Sequence, residues 1–288
     1  MNIELSLVLG FEVDTINSVQ FSNHTGYQHF KGQVLNDTQL GDLLEGLVSN
    51  GLDCYTHLLT GYIGSPSFLH KVKSVVQHLK TINPNLIYVC DPVMGDNGKM
   101  YVPAELLPVY QEEIVPLADI ITPNQYEADL SVRLLSGQKI ASKEDAGAVM
   151  EWFHGRGVKT VVLSSTDLGA EEELVVLASS ISNGTKDKFN THIPRLPVNF
   201  TGTGDLFAAL LLAWTHRTNS DIKRSVEATL STMQAILQRT LTEARREAGD
   251  GKPLTVRHLE LKLVQSLEDI RNPVSRLPPP PSPPSPTL

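Results

Sequence analysis

The stretch FTGTGDLFAALLLAW, residues Phe200 to Trp214, joins a glycine-rich turn to a long apolar segment with helical character. Gly202 and Gly204 allow backbone amides to approach an anion closely, and the dipole of the following helix favours negative charge at its start. Asp205 stands in the first turn of that helix, where it can accept the proton of an attacking hydroxyl group while the amides hold a phosphoryl group. The alternative is an ordinary capping aspartate after a glycine turn, which the motif alone favours.

Elsewhere, short apolar or β-branched runs alternate with longer amphipathic segments, which predicts an α/β fold with a mostly parallel sheet flanked by crossover helices. The predicted strands are Gly10 to Val13, Ser18 to Phe21, Leu58 to Tyr62, Leu86 to Cys90, Asp119 to Thr122 and Thr160 to Ser164. The predicted helices are Asp37 to Ser49, Ser65 to Thr81, Pro103 to Val115, Asn124 to Ser136, Ser142 to Gly155, Asp205 to His216, Asp221 to Ala248 and Thr255 to Arg271.

Three of the predicted strands end in polar residues, which are Asp91 and Asp96, then Asn124 and Glu127, and finally Ser164 and Ser165. Ligands of open α/β sheets bind beyond the carboxyl ends of the strands, so we expect these groups to gather at one edge. Each loop alone is explained by turn-forming residues, but three of them beside a glycine-rich helix start predict a binding site. Asp96 and Glu127 offer the hard oxygen ligands that suit Mg²⁺, with a solvated charge as the alternative for either.

The amino-acid composition limits the kinds of partner that this protein is expected to bind. The 288 residues, 41% of them hydrophobic, are enough for one large α/β domain. The formal net charge of -8 disfavours a nucleic acid or a membrane surface as partner. Cys54 and Cys90 form no CxxC pair, and the first residues make a poor signal peptide. We therefore expect a cytoplasmic protein that acts on a small molecule.

The chain ends in LPPPPSPPSPTL from Leu277, where proline removes amide donors and fixes φ. Residues 273–288 are accordingly predicted to form a disordered tail after a single domain at residues 1–272. Pro281 and Pro284 have the PxxP spacing of SH3 ligands, although a segment so rich in proline matches that pattern by chance.

Four further motifs carry a family resemblance, namely NSVQFSNHTGY (Asn17 to Tyr27), LTGY (Leu59 to Tyr62), CDPVMGD (Cys90 to Asp96) and TPNQYEAD (Thr122 to Asp129). Together with the glycine-rich segment, they closely resemble the pyridoxal kinases of the ribokinase-like superfamily, from roughly Leu9 to Arg271. The resemblance implies a ribokinase-like fold, usually dimeric, and phosphorylation of the 5'-hydroxymethyl group of pyridoxal, pyridoxine and pyridoxamine. It also implies ATP, Mg²⁺ or Zn²⁺, and K⁺ or Na⁺ as cofactors.

The resemblance implies a role for each matching residue. Asp205 is the expected catalytic base and contacts the substrate, beside an anion hole formed by Gly202, Thr203 and Gly204. Residues expected near the nucleotide are Asp91, Asn124, Glu127, Ser164, Ser165 and Thr203, and those expected at cation positions are Asp96, Thr122 and Glu127. Phe21, Thr25 and Tyr62 match the pyridoxal pocket, where an aromatic face and a hydroxyl group hold a planar ring. His24 is expected to be an exposed turn residue.

The chain departs from the family pattern in three places. Family members begin with a strand that carries a substrate-binding serine, whereas this chain starts near the end of the following helix, so the first strand of the sheet is expected to be missing. Glu127 to Gly137 is about four residues longer than the pattern, which one additional helical turn absorbs. The proline-rich end replaces a β-like apolar tail.

Two alternatives to a pyridoxal kinase stay open. A related ribokinase-like kinase, such as one acting on hydroxymethylpyrimidine, would share the GTGD element and the site at the sheet edge, although NHTGY and LTGY favour pyridoxal. The other alternative is a catalytically impaired or inactive product that retains nucleotide binding and pairs with a full-length enzyme, which the missing strand supports.

Overall fold

A computed structural model describes residues 6, 8–136, 139–182 and 184–274 of the chain. Its strands are β1 (Val19–Phe21), β2 (Gly32–Val34), β3 (His57–Thr60), β4 (Ile87–Cys90), β5 (Gly95–Asp96), β6 (Lys99–Met100), β7 (Ile120–Ile121), β8 (Thr160–Thr166), β9 (Glu173–Ser182) and β10 (Thr185–Pro194). Its α-helices are α1 (Asp37–Ser49), α2 (Pro66–Ile82), α3 (Leu106–Val109), α4 (Gln125–Ser136), α5 (Lys143–His154), α6 (Thr203–Arg217), α7 (Ile222–Ala248) and α8 (Leu267–Arg271).

The central sheet has six strands in the order β10-β9-β8-β7-β4-β3. The strands β3, β4, β7 and β8 run parallel, and β9 and β10 extend the sheet as an antiparallel hairpin. Two small antiparallel ribbons, β1 with β2 and β5 with β6, lie apart from this sheet. The predicted α/β fold with a mostly parallel sheet is thereby confirmed. The strand β3 lies at one end of the order, and the missing family strand stays a prediction.

Helix starts follow the capping residues that the sequence offers. Ser65 caps α2 by accepting a hydrogen bond from the Phe68 amide, and Pro66 occupies the first helical position, where no amide donor is needed. Asn36 caps α1 with a reciprocal bond to Gln39. These local signals explain why the predicted bounds of the two helices agree with the structure to within a residue.

Helices cover both faces of the sheet. On one face, α2 and α5 contribute Leu69, Val76 and Phe153 to a large apolar cluster beneath Tyr88 and Leu163 of the sheet. The other face is covered by α6, whose side chains are apolar on nearly every side, and by α7 outside it; Phe207 and Leu211 of α6 lie between Val89, Val162 and Val176 of the sheet and Val226 and Leu230 of α7. A helix that is apolar all round is buried in this way.

Several predicted elements differ from the structure. Gly10 to Val13 forms no strand, because Gly10 adopts a turn with φ of 95°. The predicted strand at Ser18 to Phe21 pairs with β2 rather than joining the sheet. Within Pro103 to Val115, Pro108 supplies no amide, and a short α3 gives way to a π-helical turn at Tyr110–Ile114.

The predicted helix from Thr255 to Arg271 is also wrong in most of its length. The structure has 3-10 turns at Val256–Leu259 and Val264–Ser266, and only α8 is α-helical. Leu261 and Leu263 pack two residues apart into an apolar cluster, which is the spacing of an extended segment. The segment from Glu127 lies within α4 as far as Ser136, and Gly137 lies outside the described residues. Its additional length relative to the family pattern stays a prediction.

No helix in the described part of the chain is long and apolar enough to cross a bilayer. Residues 275–288, which hold the proline-rich tail and its PxxP spacing, lie outside the described residues. The division of the chain at residue 272 stays a prediction.

Candidate active site

The glycine-rich turn delivers Asp205 to the carboxyl edge of the sheet. Gly202 is the residue before α6 and has φ of 84°, a left-handed conformation that favours glycine. Gly202 is the N-cap residue and Asp205 is the third residue of α6, so the alternative that Asp205 is the N-cap is wrong. Asp205 instead points across the site, because a β-carbon placed on Gly61 would lie 3.4 Å from its Oδ1 atom. The first amides of α6 remain available to an anion.

The position of Asp205 changes its acidity. Its side chain is largely buried, and this burial raises the pKa of Asp205 above the ordinary value for an aspartate. A carboxylate with a raised pKa is a stronger base, as proton abstraction from a hydroxyl group requires.

Asp91 follows β4 and lies directly opposite the glycine turn. A β-carbon placed on Gly204 would be 3.7 Å from Asp91 Oδ2. The hydroxyl group of Thr122 donates to Asp91 Oδ1 at 3.3 Å, whereas the buried Oδ2 has no hydrogen-bond partner among the described residues. Burial raises the pKa of Asp91 well above its usual range, and the nearby Glu127 and Asp205 raise it further. Three carboxyl groups therefore share one site.

Glu127 is held by backbone amides. Its Oε1 accepts from the amides of Met94 (2.9 Å) and Gly95 (3.4 Å), and its Oε2 accepts from the Asn124 amide (2.9 Å). Asn124 Oδ1 in turn accepts from the Glu127 amide (2.9 Å), and Asn124 Nδ2 donates to the Gly95 carbonyl group (2.8 Å). These contacts fix the start of α4 against the β5-β6 ribbon. Burial of the carboxyl group nevertheless raises the pKa of Glu127 to about 7.

Asp96 is the exposed last residue of β5, at the outer rim of the site. Its carboxylate accepts from the amide (2.8 Å) and the side-chain nitrogen (3.2 Å) of Asn97. Among the described residues, no three histidine, cysteine or acidic side chains are already arranged to hold a metal ion. Asp96 and Glu127, which were predicted as metal ligands together, are thus separated into a rim position and a buried one.

The remaining residues expected on the nucleotide side lie towards the ends of β7 and β8. The Ser164 amide donates to the Pro123 carbonyl group at 3.0 Å, and its hydroxyl group does so at 3.4 Å. Ser165 is half-buried beside it. The expected gathering of polar groups at one edge is confirmed by these contacts together with the bond between Thr122 and Asp91.

The residues expected on the vitamin side lie on the β1-β2 ribbon and in two loops. Phe21 packs against Phe30 with ring centroids 5.1 Å apart, and Tyr62 is 37% exposed. The Ser18 hydroxyl group donates to the Tyr62 carbonyl group at 2.8 Å, which joins the ribbon to the LTGY loop. Thr25 is exposed, and its neighbour Gly26 faces the glycine turn, since a β-carbon there would be 2.8 Å from Thr201 Oγ1.

Some contacts at this site could not be predicted from the sequence. Gly61 and Thr201 stand inside quoted motifs, but only the fold shows that they face Asp205 and Gly26. His24, expected as an exposed turn residue, is only partly exposed and lies 3.3 Å from Glu260. Glu260 carried no sequence signal, because it is more than 200 positions away from its partners.

Comparison with known proteins shows to which family the chain belongs. A family model described as phosphomethylpyrimidine kinase matches residues 14–250. The chain is 50% identical over 278 residues to a pyridoxal kinase of Homo sapiens, covering 92% of this chain and 88% of the relative. It is 49% identical over 266 residues to one of Arabidopsis thaliana, covering 92% and 84%. The chain belongs to the pyridoxal kinase family.

The fold agrees with this membership of the pyridoxal kinase family. A structure of pyridoxal kinase from Leishmania donovani in complex with ADP and pyridoxamine matches with a TM-score of 0.84 at 30% identity. The match covers 95% of this chain and 91% of that one. The resemblance found in the sequence motifs is therefore confirmed over nearly the whole chain.

The crowding of carboxyl groups in this pyridoxal kinase family member predicts a pH-dependent cost in stability. Since the pKa of Asp91 is raised, the folded chain binds that proton more tightly than the unfolded chain does. The cost is absent below about pH 4, the ordinary pKa of aspartate, and grows as the pH rises above it. We expect Asp91→Asn to raise the thermal midpoint at pH 8 without nucleotide or divalent metal, and the gain to shrink towards pH 5.

The check is calorimetry or fluorescence melting of both chains over that pH range in the presence of a chelator. Asp187→Asn, at an exposed position of β10, serves as the control and should leave the midpoint unchanged. A lower midpoint for Asp91→Asn at pH 8 would show that the carboxylate stabilises the ion-free fold.

Proposed function

We propose that this chain is an ATP-dependent kinase that phosphorylates the 5'-hydroxymethyl group of pyridoxal, pyridoxine and pyridoxamine. The observation that carries the proposal is Asp205, which stands in the first turn of α6 behind the left-handed Gly202 and faces Gly61 of the LTGY loop. Membership of the pyridoxal kinase family supports it. The NHTGY and LTGY loops on the vitamin side favour pyridoxal over hydroxymethylpyrimidine as the substrate.

In the proposed reaction, Asp205 accepts the proton of the 5'-hydroxyl group as its oxygen attacks the γ-phosphorus of ATP. The bond from that phosphorus to the bridging oxygen breaks, and ADP leaves with the electron pair. Amides of Gly202, Thr203 and Gly204 hold the oxygens of the phosphoryl group in transfer. The residues thus act through positioning and electrostatic stabilisation.

The cluster of three carboxyl groups, Asp91, Glu127 and Asp205, suits a cation that accompanies the nucleotide. Burial raises the pKa of Asp91, and the charges of Glu127 and Asp205 raise it further. One buried oxygen of Asp91 also lacks a hydrogen-bond partner among the described residues, so the site concentrates acidic groups before ATP arrives. Asp91, Asp96 and Glu127 would hold Mg²⁺ or Zn²⁺, largely through water and phosphates, and Asp96 and Thr122 would serve a K⁺ or Na⁺ position. The cation supplies positive charge to the phosphates.

The two substrates would lie on opposite sides of the glycine turn. On the nucleotide side, Asn124, Ser164, Ser165 and Thr203 offer amide and hydroxyl groups. On the vitamin side, Phe21 and Tyr62 offer aromatic faces and Thr25 a hydroxyl group to the pyridine ring. The 5'-hydroxymethyl group would then lie between Asp205 and the γ-phosphate.

The proposal includes a cytosolic homodimer. Both cysteines are free thiols, as suits a reducing compartment. Large apolar side chains are exposed on the β1-β2 ribbon and around α1, namely Phe30, Val34, Leu43, Val48 and Leu52, which supports a second copy as the partner of this region.

Sedimentation is the test of the dimer. We expect a species of twice the chain mass of 31.6 kDa, and we expect Val34→Lys to shift it towards the monomer because a charge would enter the interface. Ile82→Lys, at a comparably exposed position that ends α2, is the control and should leave the dimer intact. A monomeric parent chain, or a dimer unaffected by Val34→Lys, would contradict this part of the proposal.

Asp205→Asn tests the catalytic role. The parent chain should form pyridoxal 5'-phosphate from pyridoxal and ATP, and the variant should lower kcat by about two to four orders of magnitude, because the amide keeps the shape but cannot accept a proton. ATP affinity should stay largely intact. Asp250→Asn, an exposed turn residue after α7, is the control. An unchanged kcat in an active chain would remove Asp205 from the reaction, and activity towards hydroxymethylpyrimidine alone would change the substrate.

Gly204→Val tests the anion hole. The added β-carbon itself would meet Asp91 Oδ2 at an ordinary contact distance of 3.7 Å, but the branched methyl groups would enter the space left for the phosphoryl oxygens. Turnover should therefore fall more than thermal stability does. Gly46→Val, at an open position of α1, is the matched helical control and should leave turnover unchanged without loss of stability, since valine is a better helix former than glycine. Equal turnover by Gly204→Val and the parent chain would exclude the proposed hole.

A further inference from the structure

One acidic side chain near the end of the described chain holds the vitamin-side loop Asn23 to Tyr27. The Tyr27 hydroxyl group donates to Glu260 Oε1 at 2.8 Å, and His24 Nε2 lies 3.3 Å from the same oxygen. The rings of His24 and Tyr27 pack against each other with centroids 4.8 Å apart. Two side chains of one short loop thus converge on a single carboxylate that is 233 positions away from Tyr27.

The hydrogen bonding within the loop fixes the form of His24. The Gly26 amide donates to His24 Nδ1 at 3.2 Å, so Nδ1 accepts and carries no proton. The proton of a neutral imidazole then lies on Nε2, which donates to Glu260. Glu260 is accordingly the acceptor for both donors, and an uncharged side chain of similar shape cannot replace it fully.

Glu260 is itself anchored to the helix that carries Asp205. It follows the turn Val256–Leu259, and the next residues bind to the body of the protein: Leu261 and Leu263 pack in one apolar cluster with Leu206 and Leu210 of α6. The Lys262 amide also donates to the Thr240 hydroxyl group of α7 at 3.1 Å. The position of Glu260 is therefore fixed by packing against α6 and by a hydrogen bond to α7.

The loop touches the same body at a second point. A β-carbon on Gly26 would come within 2.8 Å of Thr201 Oγ1, so the backbone of the loop is already in close contact with the glycine turn. Thr25 stands between His24, which Glu260 holds, and Gly26, which Thr201 meets. The backbone of Thr25 is thereby held on both sides.

We propose that Glu260 is a positioning residue that fixes how far the loop Asn23 to Tyr27 lies from Asp205. Through Thr25 it thereby determines the affinity for the vitamin. The inference rests on the proposed function for its kinetic consequence. Among the described residues, no hydrogen bond or ion pair joins this loop to Asp91, Glu127 or Ser164, so we expect the effect of Glu260 to be confined to the vitamin.

The kinetic test is Glu260→Ala. We expect KM for pyridoxal to rise by about five- to tenfold, while kcat and KM for ATP change by less than about twofold, since two hydrogen bonds to a charged group are lost outside the reacting centre. Tyr27→Phe should give part of this effect, and it should add little to Glu260→Ala because both remove the same contact. Glu247→Ala is the matched control, as it breaks only an ion pair with Lys262 in the same region.

The result that overturns the inference is a KM for pyridoxal that is the same in Glu260→Ala as in the parent chain or in Glu247→Ala. A parent chain that forms no pyridoxal 5'-phosphate contradicts the proposed function instead. In that case hydrogen-deuterium exchange of residues 22–28 still decides whether Glu260 holds the loop. Faster exchange in Glu260→Ala supports the contact, and unchanged exchange removes it.

Discussion

The burial of α6 between the sheet and α7 is the constraint on which the rest of the structure depends. Its side chains are apolar on nearly all sides, so the helix has a single stable place in the fold, against Val89 and Val162 of the sheet. Its polar first turn then has to emerge at the carboxyl edge of the parallel strands. Residues with no contact to any substrate, such as Phe207 and Leu211, therefore decide where Asp205 stands.

The three carboxyl groups at the site reduce stability, whereas the burial of α6 increases it. Asp91, Glu127 and Asp205 are brought together by three different elements, and burial raises the pKa of each. The backbone amides around Glu127 compensate that residue in part, whereas one oxygen of Asp91 is left without a partner in the described structure. Such an arrangement is costly in the free protein, which supports the cations proposed for this site.

The parts of this structure that could be predicted from the sequence are those determined by residues close together in the chain. Ser65 with Pro66 and Asn36 with Gln39 set the starts of two helices through neighbours a few residues away, and the motif around Gly202 and Asp205 likewise contains its own geometry. The hairpin β9-β10 was missed because its strands are defined by pairing with each other and with β8 rather than by a crossover helix. Long-range contacts leave still less trace, since nothing near residue 260 indicates a partner at Tyr27.

The anchoring of the segment after α7 has a consequence for what counts as the complete catalytic unit. The family model ends at residue 250, and every motif that identifies the family lies before that point. Yet Leu261 and Leu263 cover α6, and Glu260 reaches back to His24. A fragment cut at the end of the matched region would retain each recognisable motif while uncovering apolar side chains of the central helix and releasing the loop beside the glycine turn. For this fold, the end of the family model and the end of the folded unit differ by one short segment of chain, which connects the loop Asn23 to Tyr27 with the helix that carries Asp205.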